Sequence, residues 1–192
     1  MAGDTYLVFS SDNGYHMGQY RLNPGKMTAF DTDIRVPLVV AGPGVAPGST
    51  STAQVQNVDL APTFQAVAGI TVSSTVDGRS LQPLLAGGSG AGWRTTALVE
   101  HHGPDTLPGD PDLPAANSGN PPTYTAIRTA TYTYVEYVDG SREYYERTTD
   151  PYELHNLAGT LGPARLAQLH TALTGLANCH NGTDCWTAGH AH

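Results

Sequence analysis

Asp12 and Asn13 stand side by side where the apolar run Tyr6-Leu7-Val8-Phe9 turns abruptly polar. An ionised carboxylate and an amide carbonyl are hard oxygen donors, the type that calcium or magnesium takes in preference to softer metals. Two such donors do not complete a site, because calcium takes roughly six to eight oxygens. His16, Arg21 and Lys26 follow within one loop, and Lys26 is the only lysine among 192 residues. A cation beside a metal-type pair neutralises an anionic substrate group. Each residue also has a plainer reading. Asn13-Gly14 is a tight-turn signal that tolerates positive φ, and an isolated cation is usually a solvated surface charge. A second polar cluster, Glu100-His101-His102, closes the apolar Ala97-Leu98-Val99. It offers substrate contacts or transition-metal ligands, although neighbours on an extended strand point to opposite faces and rarely share one ion.

The elements that must position these groups are legible from patterning. Tyr6–Phe9 has the continuous apolar character of a strand buried on both faces, and Val36–Val40 is the next apolar run, closed by Gly42-Pro43-Gly44. Carboxylate and amide therefore fall at a strand's C-terminal tip, where open α/β sheets gather ligands. Asp59 is placed to cap a helix reaching Val67 and stopped by Gly69, with Leu60, Phe64 and Val67 at helical spacing. Leu81–Leu85 is a shorter helix, and 103–122 is a Pro/Gly/Asp/Asn-rich loop long enough to form a functional rim. From Tyr124 onward, aromatic and β-branched residues alternate with polar ones, and Asp139-Gly140 joins two runs, which spells an antiparallel meander. Its tyrosines at period two are packing residues before they are a sugar-stacking surface. Pro163 opens a helix to about Asn178 with Leu166, Leu169, Leu173 and Leu176 on one face, set to cover the small sheet.

Taken together, Ser11-Asp12-Asn13-Gly14-Tyr15-His16-Met17-Gly18-Gln19, Lys26 and Asp33-Ile34-Arg35-Val36-Pro37-Leu38 resemble the C-terminal part of the catalytic domain of the sulfatases, of the alkaline-phosphatase-like superfamily. Within that family the likeness points to the N-acetylglucosamine-6-sulfatases. It continues through Asn57–Thr63, Asp77–Leu81, Trp93-Arg94, Leu98–Glu100, Thr149-Asp150-Pro151, Asn156-Leu157 and the terminal cysteine pair. The resemblance implies that Asp12 and Asn13 complete a calcium site, magnesium being the lesser choice, and that Lys26 contacts the sulfate. His16 carries over as a substrate contact and, with Lys26, is assigned a catalytic role; Arg21, as a nearby cation, and Glu100 and His101, at a strand tip, are substrate-binding candidates by their own position in the sequence. The implied fold is α/β: the C-terminal portion of a mixed-sheet catalytic domain over 1–122, then a small antiparallel subdomain with a C-terminal helix over 123–192. The implied reaction is hydrolysis of a sulfate ester on carbohydrate, the 6-O-sulfate of N-acetylglucosamine in glycosaminoglycans being the example. The sulfatase nucleophile is a formylglycine made from a Cys/Ser-x-Pro/Ala-x-Arg motif, and that motif is absent from these residues. The expectation is therefore a chain that lacks the nucleophile and half of the metal cage and relies on an N-terminal half of the domain. A phosphate or phosphonate ester hydrolase of the same superfamily, or a non-catalytic secreted glycan-binding module, are the other readings.

Composition bounds these expectations. The chain is 39% hydrophobic and 14% charged, with 22 glycines and 14 prolines, which suits a loop-rich globular protein. A net charge of −8 without a basic patch argues against nucleic acid, and it would repel a sulfated polysaccharide except at a locally cationic site built on Lys26 with Arg21 or Arg35. No apolar stretch approaches the ~20 residues of a membrane span. Cys179 and Cys185 flank a short Gly/Asn-containing loop that reads as a disulfide and hence an exported protein. A metal site using His180 and the Gly189–His192 tail is the alternative. Asn181-Gly182-Thr183 is a glycosylation sequon. The first residues resemble no signal peptide, a conflict that an N-terminal extension would resolve.

Overall fold

The structure is a computed structural model describing residues 2–190; the His192 end of the candidate metal tail lies outside the described residues. The described chain folds as two compact units, one built from 2–10, 37–97 and 178–190, the other from 11–36 and 98–177. Residues 11–36 pack with the later sheet through long-range bonds described below.

In the first unit, β1 (Leu7–Phe9) pairs antiparallel with β2 (Val39–Ala41), with Leu7 opposite Ala41 and Phe9 opposite Val39. Residues alternate across the ribbon. Val8 and Val40 therefore share one face, where they border a small apolar cavity lined also by Leu60, Phe64 and Val67 of α2 (Leu60–Val67) and by Leu85 of α3 (Gln82–Leu85). Leu7, Phe9 and Val39 share the other face and are 69%, 66% and 61% exposed. The expectation of a strand buried on both faces is corrected here: the apolar run is real, but this chain covers only one of its sides.

α2 stops as its sequence requires. Gly69 takes φ +72, and Ile70 N–H returns to Gln65 C=O as helix-terminating glycines allow. Its start differs from the expected one, since the Asp59 side chain does not cap α2. Instead that carboxylate is fully buried, binds Arg94 through both oxygens at 2.6 and 2.7 Å, and accepts from Gln56 and Arg79 N–H. α5 (Gly182–Ala188) completes the unit, tied by the Cys179–Cys185 disulfide and capped by Asn181, whose side chain accepts from Thr183 and Asp184 N–H.

A four-stranded sheet is ordered β3 (Thr96–His101), β4 (Tyr124–Thr129), β5 (Tyr132–Tyr137) and β6 (Arg142–Glu146), and the second unit holds all of it from Leu98 onward. β4, β5 and β6 form the expected antiparallel meander, with Ile127 opposite Tyr134 and Tyr134 opposite Tyr144. The hairpin turns at Gly140 with φ +86, steadied by Ser141 N–H and O–H donated to the Asp139 carboxylate. Tyr124, Tyr132, Tyr134, Tyr144 and Tyr145 are all buried, so these tyrosines pack and do not present a sugar platform. α4 (Pro163–Ala177) lies against β4 through Leu169, Leu173 and Leu176. α1 (Asp31–Ile34) is a single turn in the preceding segment. No helix among the described residues is long and apolar enough to cross a membrane.

Candidate functional site

The segment after β1 runs from Asp12 to Lys26 and is held by a buried pair that its own sequence supplies. His16 is fully buried, with Nδ1 2.8 and 2.9 Å from the two carboxylate oxygens of Asp33 and Nε2 3.1 Å from the carbonyl oxygen of Ser118. Asp33 also accepts from Thr28 N–H at 3.0 Å and from the Thr28 hydroxyl at 2.6 Å. One carboxylate thus anchors both ends of the loop that carries the candidate cation. A bridge between His16 and Gly25 closes it, at 2.9 and 3.1 Å.

Glycine is required here for space and not for turn geometry. Neither Asn13 nor Gly14 takes a positive φ, so the hairpin-turn reading of Asn13-Gly14 does not hold. A Cβ on Gly14 would collide with the Thr32 carbonyl, and Gly14 N–H donates to Asp33 C=O at 2.7 Å. A Cβ on Gly25 would meet the Ser118 carbonyl.

At the open end of this frame Asp12 is exposed and Asn13 half-buried. Asp12 Oδ1 accepts from Asn13 N–H at 2.9 Å and from the Ser11 hydroxyl at 3.3 Å, and these bonds, the Asn13 N–H foremost, hold its carboxyl below the ordinary carboxylate range. Asn13 Nδ2 donates to Gly14 C=O at 2.7 Å, which orients the amide. Lys26 Nζ lies 2.9 Å from Asp112 Oδ1. Asp112 raises the Lys26 ammonium above its ordinary value, and the charge of Asp12 adds to the same effect.

As a donor set, Asp12 and Asn13 supply the anionic and carbonyl oxygens that calcium prefers, and they fit it as part of a cage. No cluster of three or more His, Cys, Asp or Glu suited to a metal occurs among the described residues. The formylglycine is different: no residue here fits its motif, and none is assigned to it.

The remaining candidates are Arg21, Glu100 and His101. Arg21 is exposed and, with Tyr20, in the left-handed region at φ near +60, while the Tyr20 ring stacks on Phe30 at 3.9 Å. Glu100 is exposed, whereas His101 is half-buried, its ring 5.2 Å from that of Tyr124, and burial holds its imidazole below the ordinary value. His101 and His102 border an open cavity of about 520 Å³ together with Met27, Asp105, Asp110 and Asp112. Sequence reasoning missed Asp33, Ser118 and Asp112 as members of this site. Asp33 lay in a quoted motif without a role, and nothing local marks a loop residue 86 positions from Lys26 as its partner.

The chain as a whole is similar to known proteins of one class. A structure solved in complex with its substrate D-glucosamine-2-N,6-O-disulfate superposes with a TM-score of 0.74 at 28% identity, over 97% of this chain and 35% of that one. A phosphonate monoester hydrolase from Silicibacter pomeroyi superposes with a TM-score of 0.73, also at 28% identity, over 94% of this chain and 36% of its own. The N-acetylglucosamine-6-sulfatase of Bos taurus is 36% identical over 206 residues, covering 97% of this chain and 37% of that protein. The chain thus spans little more than a third of the length of this relative. The family model for the C-terminal part of N-sulphoglucosamine sulphohydrolase matches residues 25–178, and the chain belongs to that family.

Proposed function

We propose that this chain is the C-terminal part of a sulfuric ester hydrolase acting on sulfated glucosamine in carbohydrate, the 6-O-sulfate of N-acetylglucosamine being the substrate favoured by the N-acetylglucosamine-6-sulfatase relative. The observation that supports this reading is the buried His16–Asp33 pair, whose carboxylate anchors both ends of the loop that carries Lys26 and follows Asp12 and Asn13 in sequence. Calcium, held in part by Asp12 and Asn13, would supply charge neutralisation for a sulfate group. Lys26 binds sulfate oxygens and offsets the negative charge that grows as the ester oxygen departs. His16 acts as a positioning residue, holding the Lys26 loop through Asp33 rather than touching substrate. His101 borders the cavity and, with Arg21 and Glu100, is a candidate for binding the sugar. The nucleophile and the remaining metal ligands come from polypeptide outside these residues, and the uncovered face of β1 and β2 is where that polypeptide packs. The disulfide supports an extracytoplasmic location.

The test compares this chain with the protein encoded when the reading frame is extended upstream to include a Cys/Ser-x-Pro/Ala-x-Arg motif. The 192-residue chain is expected to leave N-acetylglucosamine 6-sulfate and an aryl sulfate unhydrolysed. The extended enzyme is expected to turn both over, and Lys26→Ala to lower kcat/KM by on the order of 10²–10³. Hydrolysis by the short chain that Asp12→Ala removes would refute the division of the site. The Silicibacter pomeroyi relative makes an aryl phosphonate the necessary competitor, and faster turnover of that ester would replace the sulfatase reading.

A further inference from the structure

The loop 103–122 is pinned at its neck and base, and its tip reaches Lys26. Gly103 and Thr123 close the neck, with Thr123 N–H donating to Gly103 C=O at 3.0 Å and Gly103 N–H to the Thr123 hydroxyl at 3.0 Å. Asp105 N–H donates to Asn120 Oδ1 at 2.8 Å, and Asn120 Nδ2 donates back to Asp105 C=O at 2.6 Å. At the base, Asn23 N–H and Nδ2 donate to the carbonyls of Asn117 and Ala116 at 2.8 and 2.7 Å, beside the His16–Ser118 bond. The tip is built from tight turns, Asp110 N–H to Leu107 C=O and Leu113 N–H to Asp110 C=O, and it is largely exposed. From this tip Asp112, its side chain 63% exposed, contacts Lys26. Its backbone N–H is itself fixed by the Asp110 carboxylate at 2.8 Å.

We propose that the Asp112 carboxylate is a built-in competitor for the substrate's sulfate: it holds Lys26 while the site is empty and leaves with the loop tip when a sulfate monoester arrives. This rests on the reading of Lys26 as the sulfate-binding cation. The chemistry of the exchange is matched. A carboxylate and a sulfate monoester each present anionic oxygens carrying one negative charge, so replacing one by the other conserves the charge facing Lys26. The exchange is energetically accessible, because a pair this exposed is weak. Space is present as well: Asp112 and Met27, next to Lys26, both border the open 520 Å³ cavity, which is in the size range of small-molecule sites. The device also discriminates. A neutral sugar has nothing to offer Lys26 in exchange for Asp112, whereas a sulfated one does.

The sole lysine makes the test direct. Labelling this chain with lysine carrying ¹⁵N at Nζ gives one side-chain NMR signal, that of Lys26, which can be followed while methyl sulfate, a sulfate monoester of one negative charge, is added at constant ionic strength. In Asp112→Asn, which keeps the side chain's shape, methyl sulfate is expected to bind about two- to fivefold more tightly than in the unaltered chain, the factor corresponding to a typical exposed ion pair. Asp139→Asn makes the same change in net charge on the hairpin between β5 and β6 and should leave the affinity unchanged. Equal or weaker methyl sulfate binding in Asp112→Asn, with Lys26 still responding, overturns the proposal and leaves the Lys26 reading standing. No response of Lys26 to methyl sulfate in either form overturns both.

Discussion

Asp31 is a carboxylate on which three arginines converge. It opens α1 and receives Arg128 Nε at 2.7 Å, Arg147 Nη2 at 2.6 Å and, more distantly, Arg35 at 3.8 Å. Its backbone N–H donates to Glu153 Oε2 at 2.8 Å, and Glu153 in turn accepts from the Thr133 hydroxyl at 2.6 Å. Burial alone would raise the Asp31 carboxyl. The Arg128 hydrogen bond and the charges of Arg128, Arg147 and Arg35 outweigh it and hold the group below the ordinary carboxylate range. A depressed folded-state value means that this stability is fully present above the unfolded pKa, about 3.9, and is lost as pH falls through the lower folded value. Glu153 works in the opposite direction, since burial raises it, so the Asp31 contribution is read as a difference between variants. Asp31→Asn is expected to cost roughly 3 kcal/mol near pH 7, the scale for breaking a largely buried ion pair. Urea unfolding midpoints should show that gap closing progressively below about pH 4. A gap that stays constant down to pH 2 would mean that the arginines stabilise the fold without linkage to the Asp31 proton.

At the scale of elements, α5 is too short to stand alone. A helix of seven residues is well below the length at which isolated helices form in water, so its order must come from its surroundings. Three supports are visible: the disulfide to Cys179, the Asn181 cap, and Trp186, which meets Trp93 edge-on at 5.2 Å and carries Arg79 over its ring at 3.8 Å. Replacing both cysteines by alanine is expected to cost roughly 2 kcal/mol for so small a ring, and Asn181→Ala about 1 kcal/mol more. Both are checked by chemical denaturation, and a midpoint unchanged on removing the disulfide would show that the tryptophan contacts suffice. The disulfide was legible from spacing, but α5 was not, because nothing in Gly182–Ala188 carries a helical apolar stripe. The same contrast runs through the chain. Alternation at period two gave the meander its strands and its hairpin, and the spacing of Leu169, Leu173 and Leu176 gave α4 its buried face, because each pattern records one local neighbour. Asp12, Asn13 and Lys26 stood out as residue types near a strand end. The pairs that hold them, His16 with Asp33 and Lys26 with Asp112, depend on tertiary approach and left no periodic trace. Asp59 was misread for a related reason: an Asp before a helix is a cap by local logic, but its carboxylate is taken up by Arg94 and by the Gln56 and Arg79 N–H groups instead of capping α2.

For the molecule as a whole, the uncovered face of the β1–β2 ribbon is the feature with the largest consequence in solution. An apolar run of this kind ordinarily signals coverage on both sides, and the sequence cannot say whether the cover comes from the same chain. Here Val8 and Val40 meet α2, while Leu7, Phe9 and Val39 face outward, more than half of each side chain's surface accessible. The ribbon has only two strands, so β1 and β2 each also present an edge whose peptide groups can pair with another strand. Apolar face and open edges together make a template for association, and a net charge of −8 opposes it only through repulsion that salt screens. The purified chain is therefore expected to self-associate, increasingly so as ionic strength rises, in sedimentation or light-scattering measurements. The double variant Leu7→Thr, Phe9→Thr keeps β-branched strand formers while removing the apolar face. Because both side chains are already exposed, its unfolding midpoint should move little, whereas association should fall by an order of magnitude or more in apparent constant, given about 25 cal/mol per Å² of apolar surface withdrawn from the contact. A chain that remains monomeric at high salt would show that this face is tolerated by water and does not mark where further polypeptide belongs. Association that the double variant leaves intact would place the contact elsewhere on the surface.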